Sequence, residues 1–410
     1  MTKERYTEIY AVRIQWQDKN YYIAVEDIEE LYFIEDIFSY SMVGKIQFND
    51  RNGIMEFGPV TGNEKIGISY GGERSTEKEL KFDIFKMSKM IPSQTSLKSG
   101  TDNYIEIVFV DEMFYNLTQS QYSTSWKDTK YSKIIQDISE YALEIDSFEK
   151  FEESIEKAQF FYIPFWSPKQ TIDWITKRIS GIKSSNPGFL FYNNTKGSNF
   201  ITLESLLKQN ELMKISNNEG IYKTTSENIA DINRILGYRL SGIDNHSKKE
   251  LKGGIGFGYD FNRKKFLSYD HTYNKGINNF TLLGRKSLFP DISNKNTNIV
   301  FTGENTQKKI ENIYNNEWIK RYAMQQTLTI MVEGHEERYA GGLIEIKWPS
   351  KDDEEEFNKN LGGNYLVKSI THQFVNGSPP FRQKMILIKN AYESSDNTEL
   401  LNSKNKNLGK

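Results

Sequence analysis

The 410-residue chain contains no cysteine, which excludes disulfide bonds, thiolate metal sites and cysteine nucleophiles. Histidine is almost as scarce. The four present, His246, His271, His335 and His372, have no H-E-x-x-H or other zinc-ligand spacing, and His335-Glu336-Glu337 lacks the second histidine. No uninterrupted apolar run reaches the roughly 18–20 residues that span a bilayer, and the opening MTKERYTEIY lacks the apolar segment of an export signal. Synthesis in the cytoplasm, without a conventional secretion signal and without membrane insertion, is the expectation. Net charge is also missing: 53 Lys and Arg against 55 Asp and Glu leave −2. That balance supplies no basic field for neutralising phosphates and argues against sequence-specific DNA binding. Neither a G-x-S-x-G elbow nor a Walker lysine loop occurs. A glycosidase carboxylate pair is defined by separation in space and so stays open, but nothing argues positively for catalysis.

Aromatic residues, by contrast, are plentiful at 13%. Flat rings pack well on a pleated surface, so an ordered, β-rich protein with room for two to four domains is the default. The stretch FSYSMVGKIQFNDRNGIMEFGPVTGNEKIGISY, residues 38–70, shows the pattern best. Ile46 and Phe48 alternate with Lys45, Gln47 and Asn49, and Ile66, Ile68 and Tyr70 alternate with Lys65, Gly67 and Ser69, a period of two that predicts strands with one buried face. Between them Asn49, Asp50, Arg51, Asn52 and Gly53 supply residues suited to a turn. Similar runs at 9–14, 21–25, 31–34, 80–87 and 104–110 complete a compact β unit ending near residue 114.

From Tyr115 the period changes. Ile134, Ile135, Ile138, Tyr141 and Ala142 recur at helical spacing and predict a helix over residues 132–142. The charged run 144–157 reads as a solvated connector. In FYIPFWSPKQTIDWITKR a second helix start is well specified: Ser167 can cap, Pro168 suits the first position, and Gln170 completes a capping box. The aromatic cluster at 160–166 suits a sugar or base platform, but such clusters more often fill a core or a seam between domains. We therefore assign Pro164, Trp166, Ser167, Pro168 and Trp174 to an interdomain seam. Residues 189–192 and 200–203, joined by NNTKGS, predict a hairpin. GGIGFG at 253–258 matches no phosphate loop and reads as sheet with close backbone approach. Residues 287–316 read as a long loop or partner-facing extension, the acidic run 352–356 as a solvated loop rather than a Ca²⁺ or Mg²⁺ site, and the end NSKNKNLGK as a loose tail.

The first unit then recurs. Leu328, Ile330 and Val332 alternate as Ile46 and Phe48 do, residues 334–342 take the place of the NDRNG crossover, and IEIKW at 344–348 corresponds to IGISY at 66–70. Residues 365–374 match 82–90, and 383–390 match 104–111. Two copies of one β-barrel-like domain are the economical explanation.

Three segments, YSMVGKIQFNDRNGIMEFGPVTGNEKIGISY, FYIPFWSPKQTIDWITKR with its following hairpin, and GGNYLVKSITHQF, together resemble baseplate hub proteins of contractile-tailed bacteriophages, which are similar to the base of the VgrG spike of type VI secretion. The resemblance covers most of residues 30–393 and is weakest over 205–320. It implies a mainly β chain with two tail-tube-like barrels and an inserted mixed α/β domain. The corresponding division is 1–114 for the first barrel, 115–210 for the insertion, 211–252 with 321–393 for the second barrel, 253–320 for an extension of it, and 394–410 for the tail. It further implies a homotrimer presenting six barrels in a pseudo-hexameric ring in a virion tail baseplate. Its partners would be the tail tube protein, a central spike protein, other baseplate proteins, and DNA that passes without being read. No cofactor, no metal and no enzymatic role are implied, and Asn49 to Gly53 become candidate contacts between subunits. A tail-associated cell-wall hydrolase and a carbohydrate-binding tail module are the alternatives.

Overall fold

A computed structural model of the protein describes residues 8–16, 19–51, 53–54, 61–71, 78–90, 104–216, 235–241, 254–260, 263–271, 280–284, 286–287, 298–301, 306–348, 358, 361–375 and 381–392. The sequence expectations for residues 352–356, for the C-terminal tail, and for Asn52, His246 and Gly253 lie outside them. The first β unit comprises β1 (Glu8–Trp16), β2 (Lys19–Ile23), β3 (Ile28–Asp36), β4 (Val43–Asn49), β5 (Lys65–Gly71), β6 (Lys78–Met90) and β7 (Tyr104–Asp111). In β4, Gly44, Ile46 and Phe48 are buried and alternate with exposed or half-buried neighbours, as the period of two requires. The next stretch contains α1 (Met113–Thr118), β8 (Tyr122–Lys130), α2 (Tyr131–Leu143), β9 (Lys150–Phe151), β10 (Lys157–Trp166), α3 (Pro168–Thr176), β11 (Phe189–Asn194), β12 (Gly197–Thr202) and α4 (Leu203–Leu207). The remainder is β13 (Glu211–Ser216), β14 (Ile235–Ser241), β15 (Gly254–Asp260), β16 (Lys265–His271), β17 (Lys286–Ser287), β18 (Asn298–Phe301), α5 (Gln307–Ala323), β19 (Gln326–Glu333), β20 (Leu343–Lys347), β21 (Gly363–Val375), β22 (Phe381–Lys389) and β23 (Ala391–Tyr392).

Thirteen of these strands form one curled sheet containing two copies of a barrel motif. The neighbour order β3–β4–β7–β6–β5–β1 of the first copy recurs as β14–β19–β22–β21–β20–β13. Register repeats too, down to the irregularities. β6 bulges at Phe85, between the pairs Ile84 with Phe109 and Lys86 with Val108; β21 bulges at Lys368, between Val367 with Leu387 and Ser369 with Ile386. β3 bulges against β4 at Glu29, and β14 against β19 at Leu236. A bulge is a specific bend in a strand, so its recurrence at equivalent places identifies a duplication more firmly than alternation does. One pairing departs: β1 runs antiparallel to β5, whereas β13 runs parallel to β20. The two copies join where β21 pairs antiparallel with β3, from Ser369 opposite Asp36 to Val375 opposite Glu30.

Three apolar clusters result. One lies inside the first barrel and takes in Phe374 and Phe381 from the second. Another fills the second barrel beneath α4 and α5, and the third lies within residues 113–200. Strand β11 serves two clusters at once: Leu190 and Tyr192 face the second barrel, while Phe189 and Phe191 face the α/β core. Its continuous apolar run FLFY is the mark of a strand covered on both faces.

The helix predicted over 132–142 is α2, and α3 begins with the expected capping box: the Gln170 amide donates to Ser167 Oγ at 3.2 Å, and the Ser167 amide donates to Gln170 Oε1 at 2.9 Å. The GGIGFG stretch supplies β15, and at Gly256 an added Cβ would lie 2.4 Å from Ile310 Cγ2 of α5, which is the close approach anticipated. Two expectations need correction. Residues 307–316 are the first half of α5 rather than loop, with Asn312 and Asn316 fully buried. The run 144–157 is not simply a solvated connector, because Glu152 and Ser154 within it are fully buried. The aromatic cluster is split by the pleat of β10: Phe161 and Ile163 pack inward, whereas Phe160, Tyr162 and Phe165 stand exposed.

Candidate functional site

The two barrels and the α/β unit meet at a buried polar junction. Period two carries the core face of β3 from Leu31 through Phe33 to Glu35, so a carboxylate occupies a position with no access to water. Glu35 Oε1 accepts hydrogen bonds from the Thr195 amide at 3.1 Å and from His372 Nε2 at 3.1 Å, and Oε2 accepts from the Ala340 amide at 2.7 Å. The donors belong to the β11–β12 turn of the α/β unit and to two places in the second barrel, β21 and the crossover before β20. On the far side of the imidazole, Gln383 Nε2 lies 3.2 Å from His372 Nδ1 and donates to the His335 carbonyl at 2.9 Å. Gln383 Oε1 accepts from the His335 amide and from Arg338 Nη1, at 3.1 and 3.0 Å. This arrangement makes Nδ1 the acceptor and Nε2–H the donor of His372. Phe33 stacks on the same ring with centroids 4.4 Å apart.

The turn of the β11–β12 hairpin is fastened on both sides. Asn194 Nδ2 donates to the Ala340 carbonyl at 2.9 Å, while Lys196 pairs with Glu337 and Lys78 with the same carboxylate at 3.6 Å. Asn193 Nδ2 donates to Asp111 at the end of β7, where burial pushes the carboxyl up from its ordinary range. Helix α5 holds the end of α3 in the same polar manner. Asn316 Nδ2 donates to the Thr176 carbonyl at 2.8 Å and Asn312 Nδ2 to that of Arg178 at 2.9 Å, satisfying carbonyls that a helix end leaves without partners. Ser180 Oγ donates to Asn312 Oδ1 at 3.0 Å.

Glu35 and His372 are buried too completely for a substrate to reach them, so the junction can position the units but cannot perform surface chemistry. Among the described residues no group of three His, Cys, Asp or Glu side chains is placed to hold a metal ion, and no helix is long and apolar enough to cross a membrane.

His335 gives the junction a pH dependence. Burial, with Arg338 adding to it, holds its imidazole below the ordinary value, and its Nδ1 accepts from the Glu337 amide at 3.1 Å, which a protonated ring cannot do. The folded value lies below the unfolded value of about 6.5, so the stability His335 contributes is present above pH ~6.5 and is lost as pH falls through the folded value. In urea titrations, His335→Asn is expected to flatten the fall in midpoint between pH 7 and 5; an unchanged slope would remove His335 from this account.

The residues expected at contacts lie as follows. Asp50 is buried and its carboxylate accepts from the Ile54 amide at 2.8 Å, Arg51 is exposed and pairs with Asp27 at 2.8 Å, and Asn49 and Gly53 are half-buried. Ser167 and Pro168 are buried at the start of α3, and Pro164 is exposed. Trp174 packs against Phe161 at 5.0 Å and Tyr131 at 6.1 Å, under the Arg178 guanidinium, and Trp166 lies 6.4 Å from it beside a cleft of about 270 Å³. These ring partners all belong to the α/β unit. Polar connections between units run through Glu35, Asn193, Asn194, Asn312 and Asn316, and Tyr40 of the first unit donates to Asp173 on α3. A charged residue in phase with Leu31 and Phe33 was the one signal in the sequence that could have pointed to this junction.

No family model and no curated protein matches the chain. Solved structures do. The tail protein from Neisseria meningitidis MC58 aligns with a TM-score of 0.60 at 10% identity, covering 94% of this chain and 96% of that one. The 43 kDa tail protein of prophage MuSo2 from Shewanella oneidensis aligns with a TM-score of 0.58 at 10% identity, over 92% and 98%. The E. coli c3393 protein, a component of the type VI secretion system, aligns at 0.48 and 10% identity, over 95% and 79%. With two barrel copies, an α/β unit between them, and end-to-end alignment to the first two structures, the chain has the fold of these tail proteins.

Proposed function

We propose that the chain is a structural hub of a contractile-tail baseplate, a homotrimer whose six barrels form a pseudo-hexameric ring joining the tail tube to a central spike. The observation that carries this reading is the duplication, with its shared strand order and shared bulges, inside a single chain. Three such chains present six near-equivalent units, so one face matches a six-fold tube and the other a three-fold spike. A closed ring leaves a channel, and a net charge of −2 would let DNA pass without holding it. The partners are then the tail tube protein, a central spike protein and other baseplate proteins in the virion, and the role is architectural rather than enzymatic.

On this reading the units are residues 1–114, 115–210, and 211–252 with 321–393, with 253–320 an extension of the second barrel; one apolar cluster centres on each barrel and one on the α/β unit, with side chains shared across the boundaries. The crossover 334–342 of the second barrel packs into the junction with the first, which makes the equivalent turn at Asn49 to Gly53 the candidate contact to a neighbouring subunit. Native mass measurement with electron microscopy of the purified protein tests the proposal. A trimer seen as a ring with a central channel is expected, and a strictly monomeric protein at high concentration that joins neither tube nor spike would overturn it.

A further inference from the structure

The join between the two barrels inside one chain specifies the join between chains. Resting on the trimeric reading above, we propose that the free edge of β6 in one protomer pairs antiparallel with the free edge of β14 in the next, in the register that β21 and β3 use within the chain.

The duplication leads to this directly. Strand β21 is shared along one edge: β20 covers it from Gly363 to Leu366, and β3 takes over from Ser369 to Val375. Its counterpart β6 has the same length and the same bulge, and β5 covers it from Lys78 to Asp83. Beyond Asp83 that edge has no strand among the described residues. Likewise β3 lies between β4 and β21, whereas its counterpart β14 pairs with β19 alone among the described residues. Each barrel copy therefore has one acceptor edge and one donor edge, and only one of the two possible junctions is formed within the chain.

The side chains of β14 show what the missing strand would cover. Leu31 and Phe33 of β3 are fully buried, with Phe33 stacked on His372 of β21. Their counterparts Tyr238 and Leu240 are 45% and 41% exposed, and Leu236 at the bulge is 43% exposed. Proteins ordinarily blunt free sheet edges with charge, proline or a cover. An edge with three large apolar side chains in view is built for pairing, and the occupant that the chain itself specifies is a second copy of β6.

The register follows from the bulges. Ser88 stands three residues past Phe85 as Thr371 stands past Lys368, and Ser241 stands five past Leu236 as Ile34 stands past Glu29. Since Thr371 lies opposite Ile34 and His372 opposite Phe33, Ser88 should face Ser241 and Lys89 should face Leu240 of the neighbour. Such an interface is head-to-tail and closes only as a ring.

Because the natural chain has no cysteine, paired cysteines report the register without background. Directly opposed antiparallel residues have Cα atoms about 4.5–5.5 Å apart, within disulfide range, and successive pairs alternate between the two ladder classes. The full chain is prepared as Ser88→Cys with Ser241→Cys and as Lys89→Cys with Leu240→Cys, which cover both classes. Mild oxidation of at least one is expected to yield a covalent trimer on a denaturing gel, reversed by reductant. Each single variant, and the out-of-register pair Lys86→Cys with Ser241→Cys, should stay at the monomer position. A native mass of three chains with no cross-link in either double variant, or cross-linking only within one chain, would overturn the strand pairing and leave the hub intact. A native mass of one chain at high concentration would instead remove the hub reading and this pairing with it.

Discussion

Glu35→Ala is expected to lower the unfolding free energy by about 3–5 kcal/mol, because it leaves three buried donors without their shared acceptor. Truncation would leave the Thr195 amide, the Ala340 amide and His372 Nε2 without their acceptor, in a place water does not reach. An orphaned buried donor costs about 1–3 kcal/mol, so the loss of three together accounts for the size of the effect without any contribution from the missing methylenes. The donors lie in the α/β unit and the second barrel, and loss of their acceptor should loosen the packing of both on β3 of the first. Urea denaturation gives the free energy, and hydrogen exchange at Thr195 and Ala340 gives the location. A loss under about 1 kcal/mol would mean that the carboxylate is a passenger and that apolar packing alone joins the barrels.

The contrast between this junction and the rest of the fold explains what could be read from sequence. Alternation in residues 45–50 and 65–70 reports one buried face, and burial of that face is a local property of a strand in any sheet. The capping box at Ser167 and Gln170 is local as well, because donor and acceptor are three residues apart. The duplication was legible because strand order repeats along the chain, and the resemblance to hub proteins agrees with the tail-protein fold found. Helix α5 was not legible. Its buried face carries Asn312 and Asn316 beside Ile310 and Trp318, so no apolar stripe marks it, and those amides donate to the carbonyls of Arg178 and Thr176 and to the Glu156 carboxylate, all distant in sequence. The aromatics at 160–166 were legible only in part: composition marks the segment, but the pleat of β10 sends Phe161 inward and Phe160 and Tyr162 outward. The strand edges left open among the described residues were also invisible, since such an edge is defined by which strands are absent from it.

The second large effect is expected at Glu152, inside a run whose composition suggests a solvated connector. Its Oε1 accepts from the amides of Lys183 and Ser184 at 3.1 and 3.3 Å. Its Oε2 accepts from the Thr202 amide at 3.1 Å and from the hydroxyls of Thr202 and Ser205, both at 2.7 Å. Five donors thus converge on one fully buried carboxylate, and among the described residues no lysine or arginine pairs with it. The carboxylate closes the 181–186 turn and holds Thr202, which itself caps α4 by accepting from the Ser205 amide. The fit leaves no spare room, since a Cβ added at Gly181 would lie 2.1 Å from Oε1. Glu152→Ala should therefore cost at least about 3 kcal/mol, with amide exchange accelerated first at Lys183, Ser184 and Thr202. Glu152→Gln separates charge and acceptor chemistry from volume. The amide keeps the shape but must turn an NH₂ group toward donors at whichever oxygen site it occupies, so a loss of about 2 kcal/mol or more is expected there too. If the glutamine variant matched the natural protein while alanine did not, the site would be held by packing, and the five convergent donors would have to find their stabilisation elsewhere.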